Sequence, residues 1–292
     1  MRIIILVFGL IFGSFGSVLL TRLSSNKFDL KELKSISIGF SQCPKCKKRL
    51  KVKNLIPLFS YIYQRGKCSF CQKKISTFYP ILEILSGIVF LLTYLFIPFS
   101  GYLSLIFWLL INWLLLLVLI YDFKKYELHL PITVFVLILS LLVQFFNITG
   151  DYKIAFFSSI SLLVTFLAIY YISKLYVRYK YKKNLAGIGI GDLILSFVLG
   201  TLFSFIFMFN NVAFSSFNLN KILLLFVLIS CIIGIVIRMI NYFIQDSIKA
   251  KDDIKKSLDT KSQNIIPFLP AMIITYRILL FLSDFILKII FP

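Results

Sequence analysis

Long apolar stretches are the feature that most constrains how this chain can fold. A helix of roughly 20 apolar residues crosses a bilayer core about 30 Å thick. Because lipid cannot satisfy exposed backbone polar groups, a stretch of that length must be helical. The chain contains eight such stretches, at residues 3–20, 80–99, 102–121, 130–149, 154–173, 190–209, 222–243 and 264–290. The sequence therefore predicts an all-α polytopic membrane protein with about eight transmembrane helices.

The composition agrees with this fold class. Hydrophobic residues make up 59% of the chain and charged residues only 15%, and the mean hydropathy is +0.93. A soluble domain carries roughly a quarter charged residues, so a water-soluble enzyme and a disordered chain are both excluded. The first stretch is expected to be a retained helix and not a signal peptide, because only Arg2 gives it a basic start and no small-residue cleavage site follows it.

Basic residues predict the orientation of the spans. The chain has 32 Lys+Arg against 12 Asp+Glu, a formal net charge of +20. Of the 32, 27 fall in alternating loops, with 14 between Arg22 and Lys74, two after the third stretch, five after the fifth and six around the seventh. The positive-inside rule places these loops in the cytoplasm and both termini outside. The orientation of the spans accounts for the excess of basic residues without a nucleic-acid ligand. A basic cytoplasmic face repels basic peptides, however, unless a carboxylate or anionic lipid offsets its charge.

Four of the five cysteines form two matching pairs in the first cytoplasmic loop: Cys43, Cys46, Cys68 and Cys71. Two residues separate the cysteines of each pair, so both thiolates can reach one ion, and two such knuckles complete the tetrahedral sulfur shell of a structural Zn²⁺ site. Disulfides or a thioredoxin-like motif are the alternative, which a reducing cytoplasm and the lack of a βαβ pattern disfavour. Cys231, inside an apolar stretch, is predicted to be a small packing residue.

Acidic residues within or beside the apolar stretches are the second chemical feature. Such residues are costly in lipid and tend to mark functional sites; they are Glu83, Asp122, Asp192 and Asp284. Asp122 ends the third stretch and Asp192 opens the sixth, so both are predicted at the cytoplasmic face. Two carboxylates at one depth can form a dyad in which one activates water as a base and the other acts as an acid. Glycines before Asp192 would let the backbone bend and a substrate chain approach.

Structural explanations stay open for the same residues. Asp122 would pair at the membrane interface with Lys124 or Lys125, and Asp192 would stabilise the N-terminus of a helix. A packing or interfacial role is expected for Asp284, and an interfacial role, not a catalytic one, for the single histidine, His129. Residues 245–262, which are mixed in charge, are expected to form a solvated cytoplasmic loop.

Short motifs follow one another in a fixed order along almost the whole chain. The first half contains Gly13-Ser14-Phe15-Gly16-Ser17-Val18, Arg22, the two cysteine pairs with residues 54–61 between them, Arg65-Gly66-Lys67, Ile75-Ser76, Tyr79-Pro80 and Glu83. The second half contains Asp122, Leu130-Pro131 and Gly189-Ile190-Gly191-Asp192. In this combination the chain resembles the type IV prepilin leader peptidases, which are membrane aspartic proteases with a G-x-G-D motif.

Three positions depart from the pattern of that family. Ser17 stands where the family usually has Asn, Ile132 where it usually has Asp, and Leu269 where it usually has Gly. The change at 132 leaves Asp122 as the one aspartate of its motif. We expect Leu269 to alter packing near the site and not the chemistry, whereas Ser17 bears on a methyltransferase activity.

The resemblance implies an endopeptidase of the bacterial cytoplasmic (inner) membrane. Its substrates would be type IV prepilins or pseudopilins, cut at the cytoplasmic face between a basic leader and a hydrophobic helix. The implied catalytic residues are Asp122 and Asp192, supported by Gly189 and Gly191.

The resemblance also implies methylation of the new N-terminus with S-adenosylmethionine, an activity that the family assigns to the zinc loop and its flanks. The candidate cofactor-binding residues are Arg22, Gly66 and Glu83. For Glu83, helix-dipole stabilisation or a contact with a basic loop residue is an equal alternative.

We therefore expect three segments along the chain. Residues 1–20 would form the first transmembrane helix, 21–79 a four-cysteine zinc-binding domain with the methyltransferase region, and 80–292 the membrane aspartic peptidase domain. The main alternative is a non-enzymatic membrane transport or assembly component with a zinc-stapled loop, but the repeated spans and midplane carboxylates of a transporter are not found in the sequence. A thiol redox protein would need its cysteines on the opposite, oxidising side.

Overall fold

The computed structural model describes residues 1–22, 40–97, 99, 101–125, 127–145, 152–182, 189–209, 216–249 and 268–282. Within these ranges the regular structure is helical, apart from two isolated β-bridges. A 3₁₀ turn covers Val52–Asn54. The α-helices are α1 (Arg2–Arg22), the short α2 (Phe59–Tyr63), α3 (Phe78–Phe96), α4 (Tyr102–Lys125), α5 (Leu130–Phe145), α6 (Tyr152–Tyr181), α7 (Ile190–Phe209), α8 (Ser216–Lys249) and α9 (Phe268–Phe281).

The predicted all-helical membrane fold is confirmed in its coarse form. Five segments of the described chain are long and apolar enough to cross a membrane: α1, α3, α4, residues Tyr152–Lys180 of α6 and residues Leu219–Ile240 of α8. The apolar helical segments of α5, α7 and α9 are shorter. The count of eight spans and the side on which each loop lies stay predictions. Asp284, Lys288 and residues 250–262 of the predicted cytoplasmic loop lie outside the described residues.

Proline marks the beginning of three of these helices. Pro80, Pro131 and Pro270 each lie in the first turn, of α3, α5 and α9 respectively. A helix leaves its first backbone N–H groups without intrahelical partners, so the missing N–H of proline costs nothing there and its fixed φ favours the helical conformation. These helix starts lie close in sequence to three residues of the sites described below: Glu83, His129 and Leu269.

One compact unit contains Met1–Leu117 and Leu130–Ile132. In it α1 packs closely along α3: a Cβ on Gly13 would lie 2.5 Å from the Cα of Glu83, so only glycine allows this approach. Phe12 meets the ring of Trp113 edge to face at 5.1 Å. Ile132, one of the departures from the family pattern, is buried in this unit.

The other compact unit contains Val118–His129 and Thr133–Pro292. Polar side chains join its helices: the hydroxyl of Ser158 donates to the carbonyl of Gly200 at 2.7 Å, and the hydroxyls of Ser140 and Thr201 are 2.9 Å apart. Such bonds supplement van der Waals packing between helices in lipid. A cluster of fully buried aromatic side chains fills the unit: Phe166, Phe203, Phe226 and Tyr276.

Candidate active site and metal centre

Asp122 lies in the last turn of α4 and is buried, with 5% of its surface exposed. It follows a continuous run of buried apolar side chains that ends at Tyr121. The next two basic residues of the helix, Lys124 and Lys125, are exposed instead. The end of this helix therefore separates one buried carboxylate from the cationic side chains that follow it.

Asp192 lies in the first turn of α7 and is also buried, with 8% of its surface exposed. The backbone N–H of Gly189 donates to Oδ2 of Asp192 at 2.9 Å, and the N–H of Asp192 donates to the carbonyl of Gly189 at 3.2 Å. This reciprocal pair fixes the carboxylate at the N-terminus of the helix, where free N–H groups and the helix dipole favour negative charge. Asp192 therefore stabilises the N-terminus of its helix, which is the structural role considered for it from the sequence.

The two aspartates belong to the same compact unit, and their carboxylates interact electrostatically. The charge of Asp192 acts on the carboxyl group of Asp122, and the alternative pairing of Asp122 with Lys124 or Lys125 stays a prediction. Two acids brought together in a buried place can divide the roles of base and acid. The arrangement is suited to activating a water molecule, and the catalytic roles themselves stay a prediction.

Apolar side chains close the space around Gly191. A Cβ added there would lie 3.0 Å from the Cβ of Leu128 and 3.5 Å from Cδ1 of Leu269. Leu269 thus packs beside the residue that precedes Asp192, as expected of a departure that changes packing. Leu128 was not predicted from the sequence, and no local pattern marks it, since its contact crosses more than sixty residues.

His129 follows Leu128 and is fully buried. Its ring meets that of Tyr121, one residue before Asp122, edge to face at 4.6 Å. Its backbone carbonyl accepts hydrogen bonds from both the N–H and the hydroxyl of Thr133, at 3.1 and 3.0 Å. These contacts hold His129 against Tyr121 and Thr133 and give it a structural role.

The four paired cysteines do converge. Their sulfur atoms all lie within 4.8 Å of one another, and the Sγ atoms of Cys43 and Cys71 are 3.9 Å apart. A tetrahedral zinc site with Zn–S bonds of about 2.3 Å separates its sulfurs by about 3.8 Å. All four thiols are free and two are buried. The donor set and its spacing fit Zn²⁺. The alternative of two disulfides is not what these four residues form.

The two knuckles repeat one local geometry. In the first, the N–H of Cys43 donates to the carbonyl of Lys48 and the N–H of Lys47 to the carbonyl of Cys43; in the second, Cys68 with Lys73 and Gln72 make the same bonds, all between 2.9 and 3.0 Å. The residue after the second cysteine of each knuckle is left-handed, with φ of 59° at Lys47 and 57° at Gln72. Each turn thereby aims two sulfurs at one point.

The ionisation of two of these thiols bears on metal binding, because Zn²⁺ takes cysteine as the thiolate. The backbone N–H of Cys46 is the main cause that lowers the pKa of Cys43 to about 6, so this thiol ionises readily. At Cys71 the N–H of Lys73 favours the thiolate, but desolvation and the neighbouring thiols outweigh it and raise the pKa to about 11. Four thiolates cannot coexist without a positive ion to offset their repulsion, which a divalent metal supplies.

The candidate methyl-transfer residues each have a separate local partner. Nη2 of Arg22 donates to the carbonyl of Phe40 at 3.1 Å. Gly66 has φ of +67° and lies against the ring and hydroxyl of Tyr61, so it shapes the second knuckle.

Glu83 is the buried member of this candidate set. Oε2 of Glu83 accepts the N–H of Leu58 at 2.8 Å, and its carboxylate also accepts the hydroxyl of Ser14. The observed partners of Glu83 are thus a backbone amide and a hydroxyl. These contacts give structural roles to all three candidates, the donor set does not identify an S-adenosylmethionine site, and no methyl-transfer step is derived through them.

Two further predicted residues can be placed. Ser17 is buried, and its hydroxyl donates to the carbonyl of Ser14 at 2.7 Å, so the departure from Asn is accommodated within α1. The prediction that Cys231 is a packing residue is wrong: its side chain is exposed on α8. The apolar character of its surroundings reflects a helix face that points away from the protein, which sequence cannot distinguish from a packed face.

Family models match most of the chain. The model described as Bacterial Peptidase A24 N-terminal domain matches residues 7–97, and the model described as Type IV leader peptidase family matches residues 108–239. The first range contains all four clustered cysteines, and the second contains both interacting aspartates.

Curated proteins are similar to this chain over parts of their length. A "Prepilin leader peptidase/N-methyltransferase" of Pectobacterium carotovorum is 30% identical over 55% of this chain and 54% of its own. The protein of the same name from Stutzerimonas stutzeri is 29% identical over 67% of this chain and 70% of its own.

A third relative is a "Type 4 prepilin-like proteins leader peptide-processing enzyme" of Escherichia coli O78:H11. It is 33% identical over 35% of this chain and 42% of its own. The matches thus span about half the length of the relatives from Escherichia coli and Pectobacterium carotovorum. No solved structure matches the chain significantly.

Proposed function

The chain belongs to the type IV leader peptidase family, and from this premise we propose that it is a membrane aspartic endopeptidase that removes the basic leader of type IV prepilins or pseudopilins. The observation that carries the proposal is that the buried carboxylates of Asp122 and Asp192 interact electrostatically. Both lie in the segment that the peptidase family model matches. Two buried acids that interact electrostatically are suited to proton transfer and poorly suited to stabilising a fold.

The proposed reaction assigns one proton transfer to each carboxylate. Asp192 acts as the base, because the N–H of Gly189 stabilises its negative charge. It takes a proton from water, and the water oxygen attacks the scissile carbonyl carbon. Asp122 acts as the acid and protonates the amide nitrogen as the carbon–nitrogen bond breaks. The products are a leader with a new carboxyl end and a mature protein with a free amine.

The proposed setting is the cytoplasmic face of the bacterial inner membrane. Asp122 ends one apolar helix and Asp192 begins another, so the two carboxylates lie at helix ends and not at mid-helix. The alternating distribution of basic residues supports a cytoplasmic position for these ends and an external position for both termini. A substrate already inserted in the membrane would approach laterally, with its basic leader in the cytoplasm.

The zinc-bearing segment, residues 21–79, is proposed as a domain distinct from the peptidase, residues 80–292, with helix 1–20 before it. Its clustered cysteines support a structural Zn²⁺. The relatives named as N-methyltransferases support a second activity, in which S-adenosylmethionine methylates the new N-terminus. Mass spectrometry of the mature product tests this activity: a product that stays unmethylated in the presence of S-adenosylmethionine contradicts it.

The peptidase proposal is tested by single acid-to-amide changes in the full chain. Asp122→Asn and Asp192→Asn keep side-chain size and remove the ionisable group, so each should abolish leader cleavage of a detergent-solubilised prepilin. Glu127→Gln is the matched control, since Glu127 is an exposed acid five residues from Asp122. It should cleave at the unchanged rate.

Folding must be measured beside activity. Thermal unfolding and membrane insertion of both aspartate variants should match the unchanged chain, because the change is isosteric. Full cleavage by Asp192→Asn, with the protein folded, would refute the dyad. Loss of cleavage in Glu127→Gln as well would show that the assay reports general charge and not a specific pair.

A further inference from the structure

The short helix α2 (Phe59–Tyr63) presents an apolar face to its surroundings. Phe59, Ile62 and Tyr63, at helical spacing i, i+3 and i+4, are 73%, 71% and 85% exposed. The opposite side of the helix packs on protein, because Tyr61 lies against Gly66 of the second knuckle. A helix of five residues with one face packed and three large apolar side chains unburied is costly in water.

This helix is attached to the end of a membrane helix. Leu58, directly before Phe59, donates its backbone N–H to Glu83 at 2.8 Å. Glu83 lies in the second turn of α3, which is one of the five segments long and apolar enough to cross a membrane. The same carboxylate accepts the hydroxyl of Ser14 on α1, another of the five. The apolar face of α2 is therefore tethered to two helices that are long and apolar enough to cross a membrane.

The segment around α2 is strongly basic. Between Glu32 and Glu83 the sequence contains 11 Lys or Arg and no Asp or Glu. Most of the basic side chains in the described part, residues 45–53 and 65–74, are exposed. Aromatic side chains favour the headgroup level of a bilayer, and dense basic segments beside a membrane helix are attracted to anionic lipid.

We propose that the face formed by Phe59, Ile62 and Tyr63 inserts into the headgroup region of an anionic bilayer, with the basic residues of both knuckles on the lipid phosphates. The occupant is lipid because the exposed apolar face, its attachment beside two membrane helices and the unbalanced positive charge all match an anionic membrane surface. This docking does not depend on peptidase activity. If the chain does cleave basic leaders, bound headgroups also offset the repulsion between the leader and the basic loop.

The test is depth-dependent fluorescence quenching of the full chain in lipid nanodiscs. Tyr63→Trp adds a reporter to the apolar face. The native tryptophans, Trp108 and Trp113, are buried, and their emission is subtracted with the unchanged chain in the same discs. All discs contain the same share of phosphatidylcholine brominated near the headgroup, and the remaining lipid is either plain phosphatidylcholine or phosphatidylglycerol. Gln42→Trp, at an exposed and uncharged position beside the first knuckle, is the matched control, because it keeps every basic residue.

We expect the added emission of Tyr63→Trp to lose about half its intensity in mixed discs and clearly less in phosphatidylcholine alone. About 1 M NaCl should weaken the difference between the two lipids, because it screens the basic residues. Equal quenching in both lipids would overturn the anionic assignment, and equal quenching at positions 42 and 63 would overturn the assignment to α2. If bromine does not quench the added emission and only a prepilin shifts it, the face is a protein-docking surface and the lipid proposal is wrong.

Discussion

Gly191 offers the most direct test of how packing positions the proposed dyad. A methyl group at this position would lie 3.0 Å from the Cβ of Leu128, which is attached to backbone and cannot rotate away. An ordinary carbon contact is about 3.5–4.0 Å, so Gly191→Ala must move the start of α7 by about 0.5 Å. A misplacement of about 1 Å costs roughly a hundredfold in rate, so about 0.5 Å corresponds to about tenfold in kcat, or about 1.4 kcal/mol.

Gly189→Ala is the matched comparison. A Cβ there would meet only Oδ2 of Asp192 at 3.6 Å and the N of Gly191 at 3.9 Å, which are ordinary contacts, and the N–H that bonds Asp192 is kept. We expect its kcat to stay within about twofold of the unchanged chain. Initial rates of leader cleavage, normalised to folded protein from thermal unfolding, give the comparison. Equal rates for the two variants, or a loss in Gly191→Ala explained wholly by unfolding, would refute the steric reasoning.

Two further predictions concern the zinc-bearing unit. The purified chain should hold about one Zn²⁺. Cys68→Ser should lose the metal and expose residues 40–75 to trypsin, because metal binding supplies the folding free energy of the loop. Cys231→Ser, outside the cluster, should keep the metal, and full zinc retention in Cys68→Ser would contradict the site. Glu83→Gln should weaken the bonds to Leu58 and Ser14 by about 1.5 kcal/mol and speed amide exchange in α2 about tenfold. Unchanged exchange, with Glu127→Gln as control, would show that Glu83 does not hold this helix.

The apolar stretches predicted the helices well because lipid leaves the backbone no other conformation. They predicted the ends less well. The stretch at 154–173 is part of a helix, α6, that continues through Lys174 and Arg178 to Tyr181, and the stretch at 222–243 lies inside α8, which covers Ser216–Lys249. Hydropathy detects the part of a helix that suits lipid, whereas backbone hydrogen bonds let the helix continue into polar sequence.

The metal centre was predictable because its geometry is local. Two residues between cysteines suffice to aim both sulfurs of a knuckle at one ion, and the structure repeats that turn at Lys47 and Gln72. The two knuckles lie in one loop, so they meet when that loop folds back on itself. Spacing alone therefore predicted all four sulfur positions.

The carboxylate pair was not predictable in the same way. Asp122 and Asp192 lie on separate helices seventy residues apart, and local sequence left a lysine partner for Asp122 as plausible as a dyad. The family resemblance suggested the pairing, and neither approach predicted Leu128 beside Gly191 or Tyr121 against His129. Cys231 shows the same restriction, because its sequence neighbours are apolar whether its helix face packs on protein or points outward.

The sequence by itself determined that this chain is helical and apolar, that four cysteines form one metal-binding set, and which acids are expensive to bury. These properties depend on composition and on spacing within one turn or one helix. The tertiary structure decided that Asp122 and Asp192 come close enough to interact electrostatically, that Glu83 ties α2 to two membrane helices, and that the apolar face of α2 is exposed. Such contacts depend on the rotation of each helix about its axis, which packing against other helices fixes and local sequence does not.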